Sequence, residues 1–131
     1  MRYHIGCVQQ FMKEVRGVDA SVIQEAGPAP LKGDLKIDRI KFMLEELDEF
    51  TNAETLEDQV DALVDLQYFL YGTLLEMGVN ADQFTVCFNR VHKANMAKKA
   101  GRKEGRFTTS VDATKPEGWV EPDLKSVFQA K

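Results

Sequence analysis

DALVDLQYFLYGTLL, residues 61–75, is apolar around nearly its whole circumference when wound as a helix, yet it carries Asp61 and Asp65 one turn apart on the same side. After Asp65, only Gln67 and Thr73 interrupt the apolar surface. A helix of that kind is buried, as in a bundle. Aspartate is a poor helix former, and a buried unpaired carboxylate either costs several kcal/mol or is forced to a higher pKa. The neighbouring sequence offers no basic partner, which leaves a bound cation as the counter-charge.

Working outward, Thr55 is placed as the N-cap of this helix, with Asp58 three residues on in the manner of a capping box. The helix is predicted to run to Met77, with Gly78 as the left-handed residue that ends it. Upstream, Ile37, Ile40, Met43, Leu44, Leu47 and Phe50 form the apolar stripe of an amphipathic helix beginning at Asp34. A short loop near TNAET makes these two helices antiparallel neighbours. Ile5, Val8, Met12 and Val15 recur at helical spacing near the N-terminus, and Gly17 can end that segment. A short piece around SVIQEA leads to GPAPLKG, the clearest break in the chain. A fourth helix starts at Asn80 or Asp82 and passes through Phe84, Phe88, Val91 and Met96. After Gly101 the pattern dissolves, with Trp119, Leu124 and Phe128 as possible anchors. The expected fold is all-α, a four-helix-bundle-like core over residues 1–107 with an irregular C-terminal extension over 108–131.

A chain of 131 residues, 44% of them hydrophobic, can bury one core. Cys7 and Cys87 match no zinc or redox spacing, and the N-terminus lacks the apolar stretch of a signal peptide. The longest apolar run is too short to span a bilayer. These features lead us to expect a soluble cytoplasmic protein with no membrane partner. The net charge of −4 is unevenly spread: residues 42–89 hold eleven acids and no Lys or Arg, whereas 90–106 hold seven basic residues and one acid. An acidic centre beside a basic arm can bind a cation and an anion together. A solvated helix end explains the arm equally well.

The stretch FMLEELDEF, residues 42–50, poses the same choice. Glu45, Glu46 and Glu49 fall on one flank, away from the apolar stripe, as on an ordinary wet face. Two details resist that reading. Phe42 projects from the middle of the acid flank, and no Lys or Arg follows any of the acids at i+4. Set opposite Asp61 and Asp65, they become half of a metal cage. Oxygen ligands with no His or Cys nearby point to Mg²⁺ or Mn²⁺. In FNRVHKANMAK, Asn95 and Lys98 can share a helix face and donate to phosphate oxygens, while His92 reads as a helix residue with no ligand role.

RIKFMLEELDEF, DALVDLQYFLYGTLLEMGV and VHKANMAK, together with VQQFM, resemble the MazG-like all-α nucleoside triphosphate pyrophosphohydrolases, relatives of phosphoribosyl-ATP pyrophosphohydrolase and the dimeric dUTPases. The family's E-E-x-x-E matches Glu45, Glu46 and Glu49. Its E-x-x-D ends at Asp65, but the glutamate position holds Ala62, and Asp61 stands one residue earlier. The resemblance implies cleavage of a nucleoside triphosphate to monophosphate and pyrophosphate. Divalent ions would be held by Glu46, Glu49, Asp61 and Asp65, with Glu45 or Glu46 as proton acceptor. It also implies Asn95 and Lys98 as phosphate contacts and a homodimer or homotetramer. Phe42, Tyr68 or the Trp119 tail are guesses for stacking on the base.

Three rivals stand beside this reading. Phosphoribosyl-ATP pyrophosphohydrolase shares the metal chemistry and differs only in substrate. A di-iron carboxylate bundle needs Glu-x-x-His pairs, and no Glu here has His three residues later. A non-catalytic helical module binding nucleic acid through the basic arm is opposed by the overall acidity.

Overall fold

The computed structural model describes residues 2–101 and 111–129. They are mostly helical, in the order α1 (Arg2–Glu14), α2 (Ala20–Glu25), α3 (Gly33–Asn52), α4 (Leu56–Glu76) and α5 (Ala81–Met96). Two short strands, β1 (Lys99–Gly101) and β2 (Asp112–Thr114), and a 3-10 turn at Lys125–Phe128 follow. The mostly helical architecture is the expected one. The Arg102–Arg106 part of the basic arm lies outside the described residues. By its contacts the chain divides into two compact units, Met1–Asp82 and Gln83–Lys131.

The first unit is organised around α4, on which α1, α2 and α3 all pack. Thr55 caps α4 as its chemistry predicts: its hydroxyl accepts from the Asp58 backbone N–H at 3.2 Å, satisfying one of the orphan donors of the first turn. The preceding helix also ends on side-chain bonds. Thr51 Oγ1 donates to the Leu47 carbonyl and Asn52 Nδ2 to that of Asp48, each at 2.9 Å, and the turn between α3 and α4 takes only Ala53, Glu54 and the N-cap Thr55. At the other end of α4, Gly78 takes φ +78°, and a Cβ there would stand 3.0 Å from the Gly27 carbonyl oxygen. Glycine therefore answers two demands at once, a left-handed conformation and a close backbone approach. The approach is fixed by the Ala29 N–H, which donates to the Met77 carbonyl at 2.9 Å.

Ile5, Val8 and Met12 lie on one face of α1 and are almost fully buried with Ala20, Ala62, Tyr71, Leu75 and Val79. Val15, which continues their spacing in sequence, falls beyond Glu14 and is exposed, because the helix has already ended before Gly17 turns at φ +71°. The SVIQEA piece is a true helix, α2, whose N-cap Asp19 accepts from the Ser21 N–H at 3.0 Å.

In α3 the acid flank is turned toward α4, the side on which the metal-cage reading puts it. The buried residues of α3 are Arg39 and Glu46. The apolar stripe points away: Ile37, Ile40, Leu44 and Leu47 are 45–56% exposed. The polar flank, which periodicity alone would leave in water, is what meets α4.

In the second unit, β1 and β2 pair antiparallel, with Ala100 opposite Ala113, in a region whose sequence suggested no regular structure. Trp119 anchors the tail, its indole Nε1 donating to the Ala94 carbonyl at 2.7 Å. Arg90 Nη1 adds 2.7 Å bonds to the Asp123 carbonyl and Ser126 Oγ.

Candidate functional site

The seam between α3 and α4 is built by antiparallel register. Arg39 lies against Gly72, Phe42 stacks on Phe69, and Glu46 faces Asp65. The steps along α3 are three and then four residues, and those along α4 mirror them, which keeps one face of each helix on the seam. Farther along the same face, Glu49 joins Glu46 and Asp65. One carboxylate oxygen from each of the three lies within 4.8 Å of those from the other two.

Three like charges at that separation repel strongly, and the site's protonation reflects it. Glu46 is buried at 9% exposure, and its Oε2 is a buried atom with no hydrogen-bond partner. Burial above all, then a hydrogen bond with Glu49 and the charges of Glu49, Asp65 and Asp61, push its carboxyl up to about 7. Asp65 is also raised, by burial first and then by Asp61 and Glu49. Among the described residues, no Lys or Arg forms an ion pair with any of the three. An orphaned buried oxygen beside two further carboxylates, with no basic partner, is a donor set that fits a hard divalent cation.

Not every expected ligand joins the group. Asp61 is exposed and stands outside it, contributing charge to Glu46 and Asp65. Ala62, where the resemblance led us to look for a glutamate, is 2% exposed and packs in the core. Glu45, one position before Glu46 on α3, is exposed and also outside the group. Of the rings proposed for stacking on a base, Phe42 and Tyr68 are engaged inside the first unit. Phe42 lies 5.3 Å from Phe69 in a stacked pair, and Tyr68 meets Phe11 edge-on at 5.4 Å. Asn95 and Lys98 belong to the second unit. Asn95 is exposed in the last turn of α5, and the Lys98 ammonium stands 5.3 Å from the Trp119 ring centre.

Sequence reasoning passed over Arg39. It is only 3% exposed, with its guanidinium against both rings of the stacked pair, 5.6 Å from the Phe42 centre and 5.5 Å from that of Phe69. Nε donates to Thr73 Oγ1 at 3.0 Å and Nη2 to the Phe69 carbonyl at 2.7 Å. Burial, with a smaller effect from Arg16, pulls its pKa below the usual guanidinium value, and Glu76 opposes them. Hydrogen bonds from a charged donor contribute roughly 1.5–3 kcal/mol each, and a desolvated cation–π contact about 2 kcal/mol. Together they offset the cost of burying the charge. The signal for it was present: three residues before Phe42 and seven before Glu46, Arg39 lies on the acid flank, not among the solvent-facing basic residues.

A family model described as phosphoribosyl-ATP pyrophosphohydrolase matches residues 21–95, more than half of the chain, including all of α3 and α4. No curated protein matches the chain.

Proposed function

The chain belongs to the phosphoribosyl-ATP pyrophosphohydrolase family, within the MazG-like all-α pyrophosphohydrolases, and from that premise we propose that it hydrolyses a ribo- or deoxynucleoside triphosphate to the monophosphate and pyrophosphate. Membership supports a nucleotide pyrophosphohydrolase activity on phosphoanhydride bonds, and enzymes of the family typically use a divalent metal. The observation that carries the finer reading is the unpaired group of Glu46, Glu49 and Asp65 on the α3–α4 seam.

These three residues would hold Mg²⁺ or Mn²⁺, with the charge of Asp61 adding to the attraction. When bound, the metal supplies neutralisation of phosphate charge and increased acidity of water. The chain's own part is positional and acid–base. The carboxylates fix where the triphosphate is drawn, since no other group of three acids, Cys or His assembles among the described residues. Of the two expected proton acceptors, Glu46 stands in the group and Glu45 does not. Glu45, one position earlier and exposed, is the alternative acceptor. Asn95 and Lys98 are assigned to the phosphates by family resemblance. The Lys98 ammonium stands over the Trp119 ring, a position from which it can still donate to an anion.

The outward apolar stripe of α3, with the exposed Val60, Leu63 and Val64 on α4, supports a homo-oligomer. The fold has no helix, among the described residues, long and apolar enough to cross a membrane.

The test is turnover of a panel of ribo- and deoxynucleoside triphosphates with Mg²⁺, with pyrophosphate and orthophosphate measured separately and Asp65→Asn in parallel. Pyrophosphate release that the substitution abolishes is the expected result. The family match favours one second reading, phosphoribosyl-ATP as the substrate, so that compound belongs in the same panel. Turnover of it alone would replace the triphosphate reading.

A further inference from the structure

We infer that Arg39 is a positioning residue for the carboxylate group: by clamping α3 to α4 beside Glu46 and Asp65, it sets the spacing of their oxygens and so the affinity for a divalent cation. The inference rests on the metal reading above.

The acids pull the seam in the wrong direction. Two carboxylates on α3 face one on α4, and before a cation arrives their repulsion works against close packing of the helices there. Phe42 packs on Phe69 against this, but the residues that α3 buries most deeply are Arg39 and Glu46. Arg39 crosses the seam. Its two bonds end on Thr73 and on the Phe69 carbonyl, and Phe69 lies one turn beyond Asp65 on α4. Its planar guanidinium lies against both rings of the stacked Phe42–Phe69 pair, one from each helix, a geometry that a lysine ammonium does not reproduce.

Gly72 gives independent support. Glycine is unfavourable inside a helix relative to alanine. Here a Cβ would stand 2.6 Å from Arg39 Nη2, so the space at Gly72 is the space the guanidinium occupies. Gly72→Ala should therefore fold well, alanine being the better helix former, while pushing Arg39 out of its seat.

The experiment measures Mn²⁺ affinity by electron paramagnetic resonance of the free ion, in the wild type, Arg39→Met, Gly72→Ala and the double variant, with helicity checked by circular dichroism. Both single variants should keep wild-type helicity and bind Mn²⁺ about tenfold more weakly, the lower end of what supporting residues around a metal contribute. The double variant should bind no more weakly than Arg39→Met, because Gly72→Ala acts through the guanidinium. Wild-type affinity in the folded Gly72→Ala protein would overturn the inference, even if Arg39→Met failed to fold. Additive losses in the double variant would also overturn it. A wild-type protein that binds no Mn²⁺ would sink the metal reading itself, before any variant is compared.

Discussion

Glu46 of α3 and Asp65 of α4 bring carboxylate oxygens within 4.8 Å of each other across the seam, with Glu49 completing the group. No Lys or Arg among the described residues relieves them. A fold that gathers acids this way without basic partners is poised to gain stability from a cation.

Mg²⁺ or Mn²⁺ should therefore raise the melting temperature. A ligand at a hundredfold excess over its Kd, bound only by the folded state, adds about 2.7 kcal/mol. Asp65→Asn should remove most of that response while leaving the helices intact. Differential scanning calorimetry with each cation and with EDTA checks both. A wild type indifferent to divalent cations would mean that the acids are structural.

Stability without metal should depend on pH in a direction set by Glu46. Its folded carboxyl lies near 7, raised from an ordinary 4.5. Above about pH 4.5 the unfolded chain releases this proton while the folded chain keeps it. The contribution is thus fully present below pH 4.5 and is lost as pH rises through about 7. Asp65, raised as well, acts in the same direction. Urea unfolding in EDTA at several pH values should show wild-type stability falling relative to Glu46→Gln up to about pH 7 and levelling off beyond it. A constant difference between the two would contradict the burial-driven shift. With Mn²⁺ present the sign reverses for binding, since affinity rises as the carboxyls lose their protons.

Gly78→Ala should destabilise the first unit by more than about 1 kcal/mol, the cost of a left-handed conformation for a residue with a Cβ. The 3.0 Å approach to the Gly27 carbonyl adds to it, because backbone atoms on both sides cannot yield cheaply. Chemical denaturation monitored by circular dichroism measures the loss. The same substitution at Gly6, an exposed α1 position with open space around its Cα, should be neutral or stabilising.

Leu44→Asp tests the outward stripe. Leu44 is 56% exposed, so the change should barely affect the folded protomer. If the stripe is covered by another copy of the chain, a buried unpaired aspartate there should shift sedimentation velocity toward the monomer. An unchanged sedimentation coefficient for an oligomeric protein would place the association surface elsewhere.

Much of the candidate site was legible in the sequence because its signals are local. Thr55 with Asp58, and Gly78 after Met77, bound α4 through capping and left-handed backbone chemistry that depends on a few neighbouring residues. The acids were legible as a group because helical periodicity fixes which residues share a flank. The places of Asp61 and Val15 were not. Asp61 shares a side with Asp65 on the wheel, yet it is exposed and outside the group. Val15 keeps the spacing of α1, but the helix ends one residue before it.

By itself, the sequence determined the long helices, both ends of α4 and the two faces of α3, because hydrogen-bonded turns, caps and side-chain spacing are properties of short segments. Which face of α3 meets α4 was decided only in the tertiary structure. Periodicity marks an apolar face and an acidic one without saying what lies opposite each. The choice came from reciprocal fit across the seam: the opening at Gly72 admits Arg39, Phe42 lies on Phe69, and Glu46 faces Asp65.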